Sequence, residues 1–267
     1  MRHPAGSLQL NPSRDLPLLR QVLHSEFATH SQLFEFMRLN HYERSRKSLD
    51  WRLRRLVDRG LLRRETTPGC TGQFVYSVTS TAALLLQGMG EYCLVGRDRF
   101  NGKEVERSVL HAIELNEIHL SVLRAGLLVR WISSTEIRSQ NELTAFGFAK
   151  DYDAVVTVRT EAGEQRFALE YERSPKPMRY YRDIAASLSR EAHVNQVLYL
   201  TCNYDLLQFI SGFFGNSQRR VFFGLAKDWH SQLLDMPVSC SSATRCCRFR
   251  QTLDHAATVV DAAAISG

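Results

Sequence analysis

The sequence predicts an α+β chain in two parts, a small basic helical unit closed by a β-hairpin and a larger α/β unit built on a mixed sheet. Three observations carry that prediction. Apolar residues recur at helical spacing three times before residue 60, and two short β-type runs around a Pro-Gly turn follow them. From residue 104 the order of elements reads α-β-β-β-α-β and continues α-β-α. Between the two parts, residues 90–102 are polar and glycine-bearing, the composition of a linker. The expected domains are therefore residues 14–90 and 103–235, with a tail over 236–267 that has no assigned role.

A chain of 267 residues with 44% hydrophobic content can bury a full core and divides naturally into two domains. No run approaches the ~20 apolar residues of a membrane span, and the N-terminus lacks an apolar signal core. The expectation is a cytoplasmic protein with no membrane partner. The six cysteines are scattered without a C-x-x-C, and Cys240, Cys246 and Cys247 with His255 fit no zinc-site spacing. They read as reduced thiols. Charge is distributed unevenly: residues 1–80 hold 13 Lys and Arg against 7 Asp and Glu, while residues 81–267 hold 21 of each. The whole net charge of +6 thus belongs to the first third.

In the first part, Leu16, Leu19, Val22, Leu23 and Phe27 mark one helix, and Thr29 or Ser31 can cap a second that carries Leu33, Phe34, Phe36 and Met37. A third helix over about 44–59 gathers Leu49, Leu53, Leu56 and Val57 on one stripe. Its other side carries Arg44, Lys47, Trp51, Arg54 and Arg55. Of these, Trp51 is expected to pack on the following helix, residues 81–89, because large aromatics are more often buried. Gly60 suits the left-handed position after a helix, and residues 61–65 and 73–79 form a hairpin around the turn TTPGCTG. Three helices and such a hairpin make a winged helix-turn-helix.

Residues 44–64 set nine Lys or Arg against two Asp, an arrangement that costs self-repulsion unless a polyanion is the partner. Duplex DNA is the expected one. The start of the third helix would face base edges, which nominates Arg44, Ser45, Lys47 and Ser48. Phosphate contacts would come from Arg54, Arg55, Arg63, Arg64 and the wing tip. The plainer alternative is an amphipathic helix whose arginines only keep it soluble, but solubility requires no bias of sign.

In the second part, residues 104–128 read as one long helix, followed by strands at 131–138, 153–159 and 166–172, the last two joined by a turn at 160–164. Helices near 178–191, 205–213 and 229–234 alternate with strands 196–201 and 220–225, and a last strand is expected at 247–251. A period of two puts Phe167, Leu169 and Tyr171 on one face and Ala168, Glu170 and Glu172 on the other. The hairpin can bring Asp153 beside Glu170. Three carboxylates that converge repel one another unless a divalent cation or a cationic side chain neutralises them, and oxygen-only ligands suit Mg²⁺. A plainer role for Glu170 and Glu172 is ion pairing with Arg173, Arg179 or Arg182.

An acidic residue on the first helix (Glu114 or Glu117), Asp153 in YDAVV, and Glu170-Tyr171-Glu172 together resemble the PD-(D/E)XK nuclease pattern. With the winged helix, His111 and Asn116 on one helix, the L-E-x-E-R-S segment from Leu169 to Ser174, and the Arg179-Tyr180-Tyr181 helix, residues 15–225 are similar to the replication-relaxation family of plasmids and mobile elements. That resemblance implies DNA binding in plasmid replication, mobilisation or their regulation, on a nuclease-like fold. The chain departs from the nuclease pattern where Glu172 replaces the lysine; Lys176 follows between two prolines. Three readings result. The first is a sequence-specific duplex-DNA-binding regulator of transcription or replication in a mobile element, a homodimer needing no cofactor, whose inactive nuclease-like domain dimerises or binds a partner. The second is a Mg²⁺-dependent endonuclease using Asp153, Glu170 and Lys176, with Asp153 and Glu170 on the metal. The third is a protein-protein adaptor in a plasmid relaxation complex.

Overall fold

The computed structural model describes residues 10–66, 72–91, 103–145, 147–215, 219–240 and 243–254. The expected wing tip, most of the expected linker, and His255 lie outside the described residues. Two compact units make up the chain, Met1–Asn116 and Glu117–Gly267. The division falls inside the long helix, beyond the polar stretch at 90–102. No helix of the described residues is long and apolar enough to cross a membrane.

The first unit runs α1 (Asp15–Ser25), β1 (Ala28–Thr29), α2 (His30–Leu39), α3 (Arg46–Asp58), β2 (Leu62–Thr66), β3 (Phe74–Val78), α4 (Ser80–Gln87) and the start of α5 (Lys103–Arg124). Its strands form an antiparallel sheet in the order β1-β3-β2. Thr29, one of the two expected caps, starts α2 with a capping box, its hydroxyl accepting from the Gln32 amide while Gln32 Oε1 accepts from Thr29 N. Gln32 Nε2 also donates to Ile113 O, and Asn116 Nδ2 donates to Phe27 O, so the first part of α5 is tied to this unit. At the end of α3, Gly60 takes φ +66°, with its amide on Val57 O and that of Leu61 on Leu56 O. This left-handed closure turns the chain directly into β2.

Leu49, Leu53 and Leu56 are buried as the stripe requires, and they join Leu18, Leu19 and Leu33 in one apolar core. Arg52 is buried with them, 5% exposed. A guanidinium inside a core is tolerable only with partners. Its NH1 donates to Asp15 Oδ1 at 2.9 Å and its Nε to Glu43 Oε2 at 3.2 Å, while Arg55 donates to the second oxygen of Asp15. Burial pushes the Asp15 carboxyl up, yet the Asn11 amide and the two guanidiniums hold it below the usual carboxylate range.

The second unit contains the end of α5, then β4 (Leu128–Ser133), α6 (Ser134–Leu143), β5 (Ala154–Thr160), β6 (Gly163–Glu172), α7 (Met178–Leu188), β7 (Gln196–Thr201) and α8 (Tyr204–Ser211). It closes with β8 (Arg220–Leu225), α9 (Ala226–Gln232), a 3₁₀ turn (Leu233–Asp235), β9 (Pro237–Cys240) and β10 (Ala243–Arg248). One seven-stranded mixed sheet has the order β10-β9-β8-β7-β6-β5-β4. The strands β4 to β6 form an antiparallel meander, β6 to β8 are parallel, and β8 to β10 are antiparallel again. On one face, Ala168, Tyr199 and Phe223 pack under Tyr181 and Ile184 of α7 and Leu206 and Ile210 of α8. On the other, Phe167 meets Trp229 and Phe249 edge-on, and the Trp229 indole donates to Ser121 Oγ on α5.

The expected strand at 131–138 is corrected. The extended chain starts at Leu128, and at Ser133 it turns into α6, because Ser133 Oγ accepts from the Glu136 amide and Glu136 Oε2 accepts from Ser133 N. A Ser-x-x-Glu capping box overrides the β-propensity of the Trp-Ile run. The long helix ends at Arg124, four residues before its expected end, with Gly126 at φ +67°. The tail is not without structure: β9 and β10 complete the sheet, and the late strand lies at 243–248 instead of 247–251.

Removing the Asp15 carboxylate by Asp15→Ala leaves buried Arg52 with Glu43 alone and is expected to cost the first unit about 3 kcal/mol. Urea unfolding measures this, and a loss well under 1 kcal/mol would show that the network contributes little.

Candidate functional site

In the first unit, α3 separates its charges by depth. Arg52 and Arg55 face Asp15, whereas Arg44, Arg46, Lys47 and Arg54 are exposed. Arg44 precedes the helix, and Ser45 is its N-cap, the hydroxyl accepting from the Ser48 amide at 3.2 Å. The Ser45 hydroxyl therefore closes the helix start, leaving Arg46 and Lys47 as the exposed cations of the first turn. Of the nominated phosphate contacts, Arg54 and Arg64 are exposed, Arg63 is half-buried, and Arg55 is committed to Asp15. One of the two acids on α3, Asp50, is paired with His30.

Trp51 overturns the expectation that it packs on α4. It is 59% exposed, with the Arg55 guanidinium 4.9 Å from its ring centre. The helical stripe that closes the core is already filled by leucines, and Trp51 lies on the opposite side. Two further arginines pair with rings nearby in sequence: Arg64 with the exposed Phe74 at 4.5 Å and Arg46 with Phe34 at 4.8 Å. Each contact attracts a cation to a ring face; Arg64 and Arg46 keep guanidinium edges able to donate outward, whereas Arg55 donates inward to Asp15. The buried role of Arg52 went unnoticed in the sequence, although it stands three residues after Leu49 and four before Leu56, on the apolar stripe itself.

In the second unit, the carboxyl-terminal end of β6 gathers five charged side chains. Ala154 is opposite Leu169 in the register, so Asp153 arrives beside Glu170, and its Oδ2 accepts from the Tyr171 amide at 2.7 Å. Glu170 and Glu172 lie on the helix-covered face and are 3% and 2% exposed. Their neutralisation comes from lysines, not from Arg173, Arg179 or Arg182. Lys150 Nζ lies 2.5 Å from Glu170 Oε1 as an ion-pair contact without hydrogen-bond alignment, and Lys176 Nζ donates to Glu172 Oε1 at 2.7 Å. The Lys176 ammonium also sits 4.6 Å from the Tyr180 ring centre.

Lys150 is the participant that the sequence did not disclose. A loop between α6 and β5 carries it, held by Asn141 of α6 and by the distant Glu191. Asn141 Oδ1 accepts from the Phe148 amide at 2.6 Å, Glu191 Oε2 accepts from the Ala149 amide at 3.0 Å, and the Tyr152 hydroxyl donates to the same oxygen at 2.8 Å. Gly147 is required there, since a Cβ would stand 2.7 Å from Asn141 Oδ1. Nothing in local periodicity reports contacts of this kind.

Burial raises Glu170 to about 7, the Lys150 charge opposing the rise and Asp153 adding to it. Glu172 is raised by burial against the pull of Lys176. Burial works against the charged form of Lys176, but the Glu172 carboxylate outweighs it and raises the ammonium. Across the parallel register from Glu170, Tyr199 is fully buried, with no hydrogen-bond partner for its hydroxyl among the described residues, and burial pushes its phenol well up. The cluster can hold or release a proton near neutrality at Glu170. Its oxygen donors are of the type that Mg²⁺ accepts, but lysines already compensate both glutamates. Among the described residues, no three His, Cys, Asp or Glu side chains group as a metal site would need. The arrangement as it stands does not fit a divalent cation.

No family model, no curated protein and no solved structure matches the chain.

Because folded Glu170 holds its proton up to about 7 while an unfolded glutamate releases it near 4.5, the folded state binds more protons between those values. Stability therefore falls as pH rises through that window. Glu170→Gln is expected to flatten this part of the stability-pH profile in urea unfolding, and an unchanged slope would remove Glu170 as its source.

Proposed function

We propose that the chain is a duplex-DNA-binding regulator of transcription or replication, of the replication-relaxation kind. In this reading the first unit works as a winged helix, and the nuclease-like second unit supplies dimerisation or a partner site. One observation carries the proposal: the ion pairs of α3 are spent on its inner arginines, while Lys47 and Arg54 stand exposed on the outer side beside Trp51. The exposed Asp58 is the one acid in line with them on the helix, four residues after Arg54, so cations outnumber it on this face. Here the start of α3 offers cations to base edges and the β2–β3 hairpin offers Arg64 to the flanking phosphates. A homodimer would present two such faces to half-sites related by a two-fold axis.

Lys47→Ala and Arg54→Ala are each expected to weaken duplex binding and to flatten the plot of log affinity against log salt by about 0.9 per lost phosphate contact. An unchanged slope in both variants would count against the face. Trp51 fluorescence should also change on binding, and complete absence of duplex binding at low salt would leave the adaptor reading.

The gathering of Asp153, Glu170 and Lys176 at one strand end favours a second reading, phosphodiester cleavage. Lys150 and Lys176 weigh against it, because a metal would have to displace their ammonium groups from the glutamates. Supercoiled plasmid is therefore expected to stay intact with the protein in Mg²⁺ or Mn²⁺. Metal-dependent nicking that disappears in Asp153→Ala and Glu170→Ala would replace the regulator reading of this unit with an endonuclease.

A further inference from the structure

Two arginines of the second unit share a row of the sheet with no acid between them. In the register of the meander, Arg130 is opposite Thr157 and Thr157 is opposite Arg166. The period of two puts all three on the face that carries Ile132, Val155 and Ala168. Those three apolar residues are buried in the core formed with α7 and α8. One row further the cover ends: Arg130 and Arg166 are exposed and Thr157 is half-buried. On the opposite face, Val156 and Val158 of β5 and Phe167 of β6 are fully buried, which anchors those two strands, while Val129 on β4 is exposed.

Arg130 and Arg166 stand two strand spacings apart on either side of Thr157, roughly 9–10 Å between their positions, whereas in the adjacent row Arg159 faces Glu164. Arg166 is pushed below the ordinary arginine value, by burial first and then by Arg130, against a smaller pull upward from the Glu191 carboxylate. Its guanidinium lies 5.6 Å from the Phe148 ring centre, and among the described residues neither arginine has a carboxylate within ion-pair distance.

We propose that Arg130, Thr157 and Arg166 form a binding site for a phosphate group, either a free anion or a phosphodiester of a nucleic-acid strand. Neighbouring strands are about 4.8 Å apart, so an anion above Thr157 is one strand spacing from each arginine position. The hydroxyl donates from the sheet, and two planar guanidinium forks close on the anion from either side. A bound phosphate converts the repulsion of the row into two attractions. The site rests on residues of the second unit alone and does not depend on DNA binding by α3.

The test uses the full chain and the double variant Arg130→Gln/Arg166→Gln, whose substitutions are at exposed positions. Calorimetric titration with inorganic phosphate, at ionic strength held constant with chloride, is compared with titration by a short single-stranded oligonucleotide. The unaltered protein is expected to bind, and the double variant to bind at least about tenfold more weakly, the worth of one charge-assisted hydrogen bond. In chloride alone the double variant should melt no lower than the unaltered chain, whereas a purely structural role would lower its melting temperature. Arginine-dependent binding of inorganic phosphate supports the site as one for the free anion. Arginine-dependent binding of the oligonucleotide without inorganic phosphate supports it as a backbone contact. Equal affinity in both proteins, or no binding of either ligand, overturns the proposal. The same titrations on Lys47→Ala/Arg54→Ala separate the two readings, since a loss confined to that variant bears only on the first unit.

Discussion

The Asp15 carboxylate, shared between Arg52 and Arg55, is the interaction on which the first unit depends. It lies at the start of α1 and binds two arginines of α3, with Glu43 closing the remaining side of Arg52. A buried guanidinium without those acids would cost several kcal/mol, so the network sets the rotation of α3 about its axis as firmly as the leucine stripe does. That rotation decides which charges point outward. Lys47, Trp51 and Arg54 form the outer face because Arg52 and Arg55 are held within.

The same rule governs the second unit with a different outcome. Glu170 and Glu172 are buried at the end of β6 by the alternation of the strand, and the fold must bring cations to them. Lys150 and Lys176 come from two loops, one fixed by Asn141 and Glu191 and the other lying between Pro175 and Pro177. Each glutamate is thereby matched by one ammonium, and Asp153 accepts a backbone amide. This matching explains how the two buried glutamates coexist beside the half-buried Asp153. It leaves Glu170 more easily protonated than an ordinary glutamate, because the Lys150 ammonium offsets only part of its lost hydration and Asp153 adds to the rise.

Much of this was legible in the sequence wherever periodicity was the controlling signal. The leucine stripe of α3, the left-handed Gly60, the hairpin β5–β6 and the placement of Glu170 and Glu172 on one face follow from spacings of 3.6 and 2 residues. The encounter of Asp153 with Glu170 follows from the length of that hairpin. What was not legible depended on contacts between distant residues or on a local cap. The size of Trp51 suggests packing on the following helix, although its angular position, opposite the leucine stripe, places it outside. The strand expected at 131–138 was cut short by the Ser133–Glu136 box, a signal of four residues that a β-rich run concealed. Lys150 was invisible because its loop is shaped by Glu191, about forty residues away in the chain.

Charge in this protein is informative in proportion to what it lacks. An arginine tied to a buried acid, as Arg52 is, explains stability and little else. An exposed arginine facing a glutamate, as Arg159 does, needs no ligand to account for it. Lys47 and Arg54 on α3, and Arg130 and Arg166 on the meander, belong to neither class. They are held on rigid elements at or near the surface, where acids such as Asp58 and Glu191 compensate them only in part. A sequence-level excess of charge cannot separate these classes. The register of strands and the depth of each helix position can, and both surfaces identified in this way would be stabilised by the same chemistry, an oxyanion placed between guanidinium or ammonium groups.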